Sequence, residues 1–470
     1  MNSISLIAGG AIIIQITAIY CIWKAITSAR TPQSSIGWSI FLISAPVIAV
    51  PAYLFFGHHR YRGYEISRRS SERVIRGVEY QQIEHPMASK PAVDPTALEK
   101  IADFRAVGGN AFRILIDGQE TFEAIFAAID QAKNYVLVQF FIVHDDEIGR
   151  DLQRHLISAA ERGVKVRFLV DPVGSHGLSK DYTSLLRKAG VEVAARARGN
   201  RPRHRFQINF RNHRKTVVVD GQTGFVGGHN VGDEYLGRSE EFGPWRDTHL
   251  EMRGPVVAQA QLIFAEDWHW VIGTDLIDEL HWSPEAQPEN RSALVVPTGP
   301  GDVLDTGTLF FFNAIAAAQD RVWIASPYLV PDQEVLVALK HAALLGRDVR
   351  LIVPDAVDHW LPWLASFAYY TELLRAGVRI FRYKEGFMHQ KVVLVDHGFA
   401  AIGTSNLDNR SFRLNFEMMV TVLDEAIAAQ TEEFLKRDMA RSFEVKTAFE
   451  GRSLAIRVGS HIARLFAPLL

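Results

Sequence analysis

The chain has a single cysteine, Cys21, among its 470 residues. An intramolecular disulfide is therefore excluded, and so is a cysteine-rich zinc site. The sequence also lacks H-E-x-x-H and other close-set metal-ligand spacings, so it names no metal and no other cofactor. Neither sign of charge is in excess: 51 basic against 53 acidic residues leave a formal net charge of −2. No broad basic surface for nucleic acid is expected, and any attraction to phosphate must come from local clusters. Charge is missing altogether from two stretches near the start.

Residues 1–23 carry no charge before Lys24, and residues 31–57 are again uncharged. Each approaches the ~20 apolar residues needed to cross a bilayer core. A signal peptide would place basic residues ahead of the apolar stretch, whereas here they follow it and a second apolar run comes at once. A two-helix transmembrane hairpin over 1–57 is the expectation. Pro46 and Pro51 are tolerable in such helices because neighbours satisfy the freed carbonyls. The connecting loop holds Lys24 and Arg30, and the flank after the second run holds Arg60, Arg62, Arg68 and Arg69. The positive-inside bias then puts the N-terminus and the bulk of the chain in the cytoplasm, as part of a multi-pass membrane protein.

After a polar linker over 58–108 the chain repeats itself. The stretch "YVLVQFFIVHDDEIGRDLQRHLISAAERGVKVRFLVD" (135–171) reads as strand, loop, amphipathic helix, strand, and "VWIASPYLVPDQEVLVALKHAALLGRDVRLIVPD" (322–355) follows the same plan. "LLRKAGVEV" (185–193) and "LLRAGVRI" (373–380) each read as a helix end, a glycine stop and a short strand. Alternating strands and helices predict an α/β fold of two tandem halves, 109–286 and 287–441, related by a pseudo-twofold. A C-terminal amphipathic helix over 442–470 completes the division.

Each half delivers one H-x-K-x-x-x-x-D stretch: "NHRKTVVVDG" (212–221) and "MHQKVVLVDH" (388–397). On a strand, residues two apart share a face, so His213 points with Lys215, and His389 with Lys391. Asp220 and Asp396 follow at odd spacing, which puts them on the other face or in the next turn, as structural braces. Small-residue turns come next, "GGHN" (227–230) and "GTSN" (403–406), where glycine allows close backbone approach and Asn230 and Asn406 can donate hydrogen bonds. Lysine and asparagine donors aimed at one point suit phosphate oxygens. Two histidines flanking that phosphate suit in-line displacement: one attacks phosphorus, the other protonates the leaving alcohol and deprotonates its replacement. Carboxylates to orient the imidazoles are available downstream of each motif, as Asp247 in "PWRDTHLEM" and Glu417 in "FRLNFEMM".

One H-x-K-x-x-x-x-D alone would be a surface strand more often than a site; the matched downstream turns are what argue for chemistry. His144, His229, His249, His269 and His397 have no paired partner and read as ordinary polar residues. Trp268, Trp270, Trp360 and Trp363 read as core or interface packing. "RARGNRPRHRFQINFRNHR" (196–214) holds seven arginines and suits either anionic headgroups or a solvated loop. In "RSLAIRVGSHIARLFAPLL", Leu454, Val458, Ile462 and Leu465 share a helical face while Arg452, Arg457 and Arg464 lie elsewhere. That pattern fits a membrane-interface helix or packing on the catalytic halves.

These residues resemble the phospholipase D superfamily and, within it, the bacterial cardiolipin synthases: an apolar hairpin, then paired "HRKTVVVDGQTGFVGGHNVGDEY" and "HQKVVLVDHGFAAIGTSNLDNRSFRLNFE" blocks. "DDEIGRDL" (145–152), "WRDTHL" (245–250) and "NLDNRSFRLNFE" (406–417) are the more specific matches. The resemblance implies an active-site set of His213, Lys215, Asp220, His389, Lys391 and Asp396, with His213 the transient phosphohistidine and His389 the acid and base, or the reverse. It also implies an inner-membrane phosphatidyltransferase that converts two phosphatidylglycerol molecules to cardiolipin and glycerol. Alternatives are a phospholipase D that releases phosphatidic acid, or transfer to another alcohol. A nuclease fits poorly with the apolar hairpin and near-neutral charge, and a non-catalytic scaffold fits poorly with intact His and Lys in both halves. Oligomeric state is not legible.

Overall fold

The computed structural model describes residues 3–28, 31–57, 84–87, 91–194, 210–449 and 451–470. Residues 196–209 of the arginine-rich run lie outside these, as does the flank with Arg60, Arg62, Arg68 and Arg69.

Strands of both halves join one continuous sheet. At its centre, Val107–Ile116 pairs antiparallel with Arg291–Thr298, the leading strand of each half. Outward on one side come Thr248–Arg253, Thr223–Gly227, Thr216–Val219, Tyr135–Phe140, Lys165–Val170 and Glu192–Ala194. On the other come Asn415–Leu423, Phe399–Gly403, Val392–Val395, Arg321–Ala325, Asp348–Pro354 and Arg379–Tyr383. The two series match strand for strand, which is the pseudo-twofold expected from the repeat. Helices cover the sheet, so Tyr135–Phe140 and Asn415–Leu423 are buried throughout, the first nearly all apolar and the second carrying Asn415, Glu417 and Thr421 inside. The matched helices Glu147–Glu161 and Gln333–Leu344 begin the same way, with Asp146 and Asp332 side chains accepting from the Gly149 and Val335 N–H groups.

Asp220 and Asp396 brace this sheet. Both adopt positive φ, 52° and 48°, in the turn after a motif strand. The Asp220 carboxylate accepts from the N–H groups of Lys133, Asn134 and Tyr135 at 2.7–2.9 Å. Asp396 repeats this with Gln319, Asp320 and Arg321 at 2.8–2.9 Å. Each carboxylate thus ties its turn to the start of the adjacent strand, the bracing role expected from their odd spacing. Asp220→Ala or Asp396→Ala strands three backbone donors and should cost about 2–3 kcal/mol of stability. Thermal melts would register that loss, with transfer by the folded fraction retained.

Ahead of the first half, the helix Thr96–Ala102 sends Leu98 and Ile101 into the main core, and Phe104 follows. Ser442–Val445 is not helical but an edge strand beside Arg379–Tyr383. The C-terminal helix is Leu454–Arg464, and its two readings each describe one face. Ser460 and Ala463 are buried against the helix Trp360–Ala376, and Arg464 bonds Glu372 at 3.2 Å. Leu454 and Leu465 stay 75% and 77% exposed, with Val458 and Ile462 also facing out.

Near the N-terminus, Gly9–Ser28 is a helix long and apolar enough to cross a membrane. The second apolar run is two helices, Pro32–Ser44 and Pro46–Phe56, rather than one. Pro46 disfavours helical backbone at Ala45 and has no N–H to continue the ladder. Ala18, Cys21 and Ala25 of the first helix pack against Leu42, Ala49, Val50 and Tyr53, small residues letting the backbones approach.

Candidate active site

His213 and Lys215 precede the strand Thr216–Val219, and His389 and Lys391 precede Val392–Val395, in connections rather than within strands. Each connection crosses to the other half. Arg211–Asn212 pairs in parallel with Asn415–Phe416, and the His213 N–H donates to the Phe416 carbonyl at 3.0 Å. Phe387–Met388 likewise pairs with Trp245–Arg246, and the His389 N–H donates to the Arg246 carbonyl at 2.8 Å. Each histidine therefore lies beside the carboxylate of the opposite half. His213 Nδ1 is 2.9 Å from both Glu417 oxygens, and His389 Nδ1 is 2.8 Å from Asp247 Oδ2. Chain order would pair Asp247 with His213 and Glu417 with His389; the fold exchanges them.

The carboxylates dictate the imidazole tautomers. Burial favours the neutral acid at Asp247, but Lys391, His229 and His389 outweigh it and hold the carboxyl well below its ordinary range. At Glu417 burial is likewise outweighed, by His213 and Lys215. An ionised carboxylate only accepts, so each Nδ1 carries hydrogen and each Nε2 keeps its lone pair. Thr404 Oγ1 at 2.6 Å and Asn415 Nδ2 at 3.1 Å fix Glu417, and the Thr248 N–H at 2.8 Å fixes Asp247.

Both lysines are buried, with Nζ donating to the carbonyl of their own histidine, Lys215 at 2.7 Å to His213 and Lys391 to His389. Burial pushes Lys215 down to about 7 and Lys391 down to about 8, against the pull of Glu417 and Asp247. It also lowers His213, and with Lys391 takes His389 down to about 3. Neutral imidazoles beside two partly charged, desolvated lysines make a pit suited to an anion.

The glycine turns are needed for approach. A Cβ on Gly228 would fall 2.0 Å from Asp247 Oδ1, and one on Gly403 would fall 2.2 Å from the Met418 carbonyl. The two asparagines are not equivalent. Asn230 accepts from the Ile142 N–H at 3.1 Å and donates to Tyr235 Oη at 3.3 Å, which ties it into the scaffold. Asn406 lines a cavity of about 570 Å³ that reaches His213, and its buried Oδ1 has no partner among the described residues. Phe141, Tyr328, Trp360 and Leu361 form apolar walls of this cavity.

Several supporting residues escaped sequence reasoning. Arg214 and Gln390, the middle residues of the two H-x-K triplets, anchor them to helix carboxylates, Asp267 at 2.7 Å and Asp438 at 2.7 Å. Their position between His and Lys was the only signal. His229 and His249 are both fully buried, and burial takes His229 down to about 4. Of the tryptophans, Trp268 is core, and Trp360 is 70% exposed at the cavity rim.

A family profile described as "Cardiolipin synthase, PLD-like domain" matches residues 125–268 and 311–439, and "Phospholipase_D-nuclease N-terminal" matches 16–58. Cardiolipin synthase A of Pseudomonas aeruginosa strain LESB58 is 44% identical over 467 residues, covering 97% of this chain and 95% of that protein. Cardiolipin synthase A of Pseudomonas fluorescens strain Pf-5 is 43% identical over 456 residues, covering 95% of each. Among solved structures, phosphatidylserine synthase of Haemophilus influenzae shares the fold, with a TM-score of 0.60 at 16% identity, covering 84% of this chain and all of that one. With both halves matched and near-complete coverage, the chain belongs to the cardiolipin synthase family of the phospholipase D superfamily.

Proposed function

We propose that the protein joins two phosphatidylglycerol molecules into cardiolipin and glycerol at a membrane surface. The observation that carries this reading is the pair of carboxylate-locked imidazoles, each held by the other half's carboxylate, with two buried lysines. His213 Nε2 attacks phosphorus, the bond to glycerol breaks, and His389 supplies the proton that glycerol takes away. The terminal hydroxyl of a second phosphatidylglycerol then gives its proton to His389 while its oxygen displaces His213. Lys215, Lys391 and the Asn406 side chain hold the phosphoryl oxygens throughout; Asn230 supports from behind. No metal is called for, because the lysines offset the developing charge. The arriving phosphodiester also raises the depressed His389, which readies it as an acid.

Mixing purified protein with phosphatidylglycerol vesicles in a chelator tests this. Cardiolipin with equimolar glycerol is expected; phosphatidic acid alone would make the protein a hydrolase and overturn the transfer reading. The lysines add a pH dependence. A lysine lowered to about 7 or about 8 is charged below that pH and neutral above it. The free enzyme's kcat/KM should therefore fall as pH rises through 7–8, with kcat less affected, since bound phosphate restores the charge.

The charge bias of the loops supports a cytoplasmic placement of the catalytic halves on the inner membrane. The exposed face of Leu454, Val458, Ile462 and Leu465 supports contact of the C-terminal helix with the bilayer interface. Leu454→Glu combined with Leu465→Glu should cut cardiolipin synthesis from bilayer vesicles roughly tenfold. Turnover of a dispersed short-chain phosphatidylglycerol should be unaffected by the same changes.

A further inference from the structure

We infer that Leu469 and Leu470, together with Trp360 and Leu361, form a slot for the proximal acyl chains of the phosphatidyl group that His213 carries. The inference rests on the transfer reading above and adds to it the place where the lipid part of the intermediate lies.

Two separate parts of the chain build this wall. Beyond the helix Leu454–Arg464, residues Ala467–Leu469 form a single 3₁₀ turn with Ala467 buried, and Leu470 packs on the main core. The short helix Asn409–Arg413, just past Asn406, holds the segment by its backbone. The Arg410 N–H donates to the Leu470 main-chain oxygen at 2.6 Å, and Arg410 Nη1 to the Leu469 carbonyl at 3.3 Å. These bonds use main-chain oxygens only, so both leucine side chains remain to line the cavity that reaches His213. Trp360 and Leu361 line it too, at the start of the helix Trp360–Ala376. Trp360 stands edge-on to Trp363 at 5.3 Å, and its helix packs against Leu454–Arg464. Both parts of the wall therefore belong to one packed unit.

A phosphoglycerol headgroup is polar on every side. Burying its hydroxyls against leucine and tryptophan would leave them unpaired, which is costly. The diacylglycerol arm has the opposite need. Phosphorus bonded to His213 keeps that arm through both steps of the transfer, so the arm must leave the site beside His213. The cavity there holds about 570 Å³, room for more than the phosphate. Continuity with the surface points the same way. Trp360 at the rim is exposed, as are Leu465 and Phe466, which lead into Leu469 and Leu470. Chains that start in the slot therefore have an apolar path out toward the exposed face of Leu454, Val458, Ile462 and Leu465.

The test varies chain length with no bilayer present. Full-length protein is given excess isotope-labelled glycerol and phosphatidylglycerols from dibutyryl to dioctanoyl, each below the concentration at which it aggregates. Labelled phosphatidylglycerol reports the donor's chains alone, and cardiolipin is measured beside it. For wild type, kcat/KM of the exchange should rise roughly three- to fourfold for each methylene buried, until the slot is full. Leu469→Ser combined with Leu470→Ser should flatten that rise by roughly half or more. The deficit then grows with chain length and is smallest for a chain-free aryl phosphodiester. Leu469→Trp should instead end the rise at a shorter chain, and it carries the test if the double variant shows no folded melt. A rise that the variants leave as steep as before overturns the slot, and so does an equal loss at every length, the mark of a structural role. A rise confined to cardiolipin formation would give the wall to the acceptor's chains and overturn the assignment to the group on His213. Labelling by the aryl diester with no product from any phosphatidylglycerol would instead overturn the transfer reading.

Discussion

His213→Ala and His389→Ala should each reduce cardiolipin formation by roughly 10⁴-fold or more. The two losses should nevertheless differ in kind. An activated aryl phosphodiester has a leaving group that departs without a proton, so it bypasses the acid and interrogates the nucleophile alone. With a phosphorus-labelled substrate of this type, His389→Ala should release one aryl alcohol per protein and retain label on His213. His213→Ala should release none and take up no label. Glu417 keeps the His213 Nε2 lone pair available and Asp247 does the same for His389, so the labelling pattern decides between them. The opposite pattern would reassign the nucleophile to His389, and label in neither variant would remove the phosphohistidine from the mechanism.

Much of this site was legible because local sequence carries it. The repeated H-x-K spacing, the glycine turns and the alternation of strands with helices are short-range patterns, and the sheet realises them in two matching series. What short-range reading could not reach is partner choice. Nothing between residues 211 and 417 announces that Arg211–Asn212 leaves its own half to pair with Asn415–Phe416. That pairing is decided by packing the two central strands together, an event remote in sequence. Asp220 was legible by its odd spacing, and positive φ with three backbone donors makes it a brace. The proline break at Ala45 shows a second limit, where length and hydropathy described a span but the backbone required two helices.

The exchanged carboxylates lead to the second large effect. Asp247→Asn replaces an acceptor with an amide whose NH₂ can donate to His389 Nδ1 and favour the other tautomer, with hydrogen on Nε2. A loss of roughly 10⁴-fold is the scale for such a change at an orienting carboxylate. The informative part is which histidine fails. Asp247 lies in the first half but bonds the histidine of the second at 2.8 Å. Asp247→Asn should therefore copy His389→Ala, with the aryl alcohol burst and label on His213 intact. Glu417→Gln, in the second half, should copy His213→Ala and abolish the burst. If function followed chain order instead, the two phenotypes would be interchanged. The crossed result would also explain why one half alone is not a site: each contains a histidine and a lysine, but the carboxylate that sets its histidine's tautomer belongs to the other.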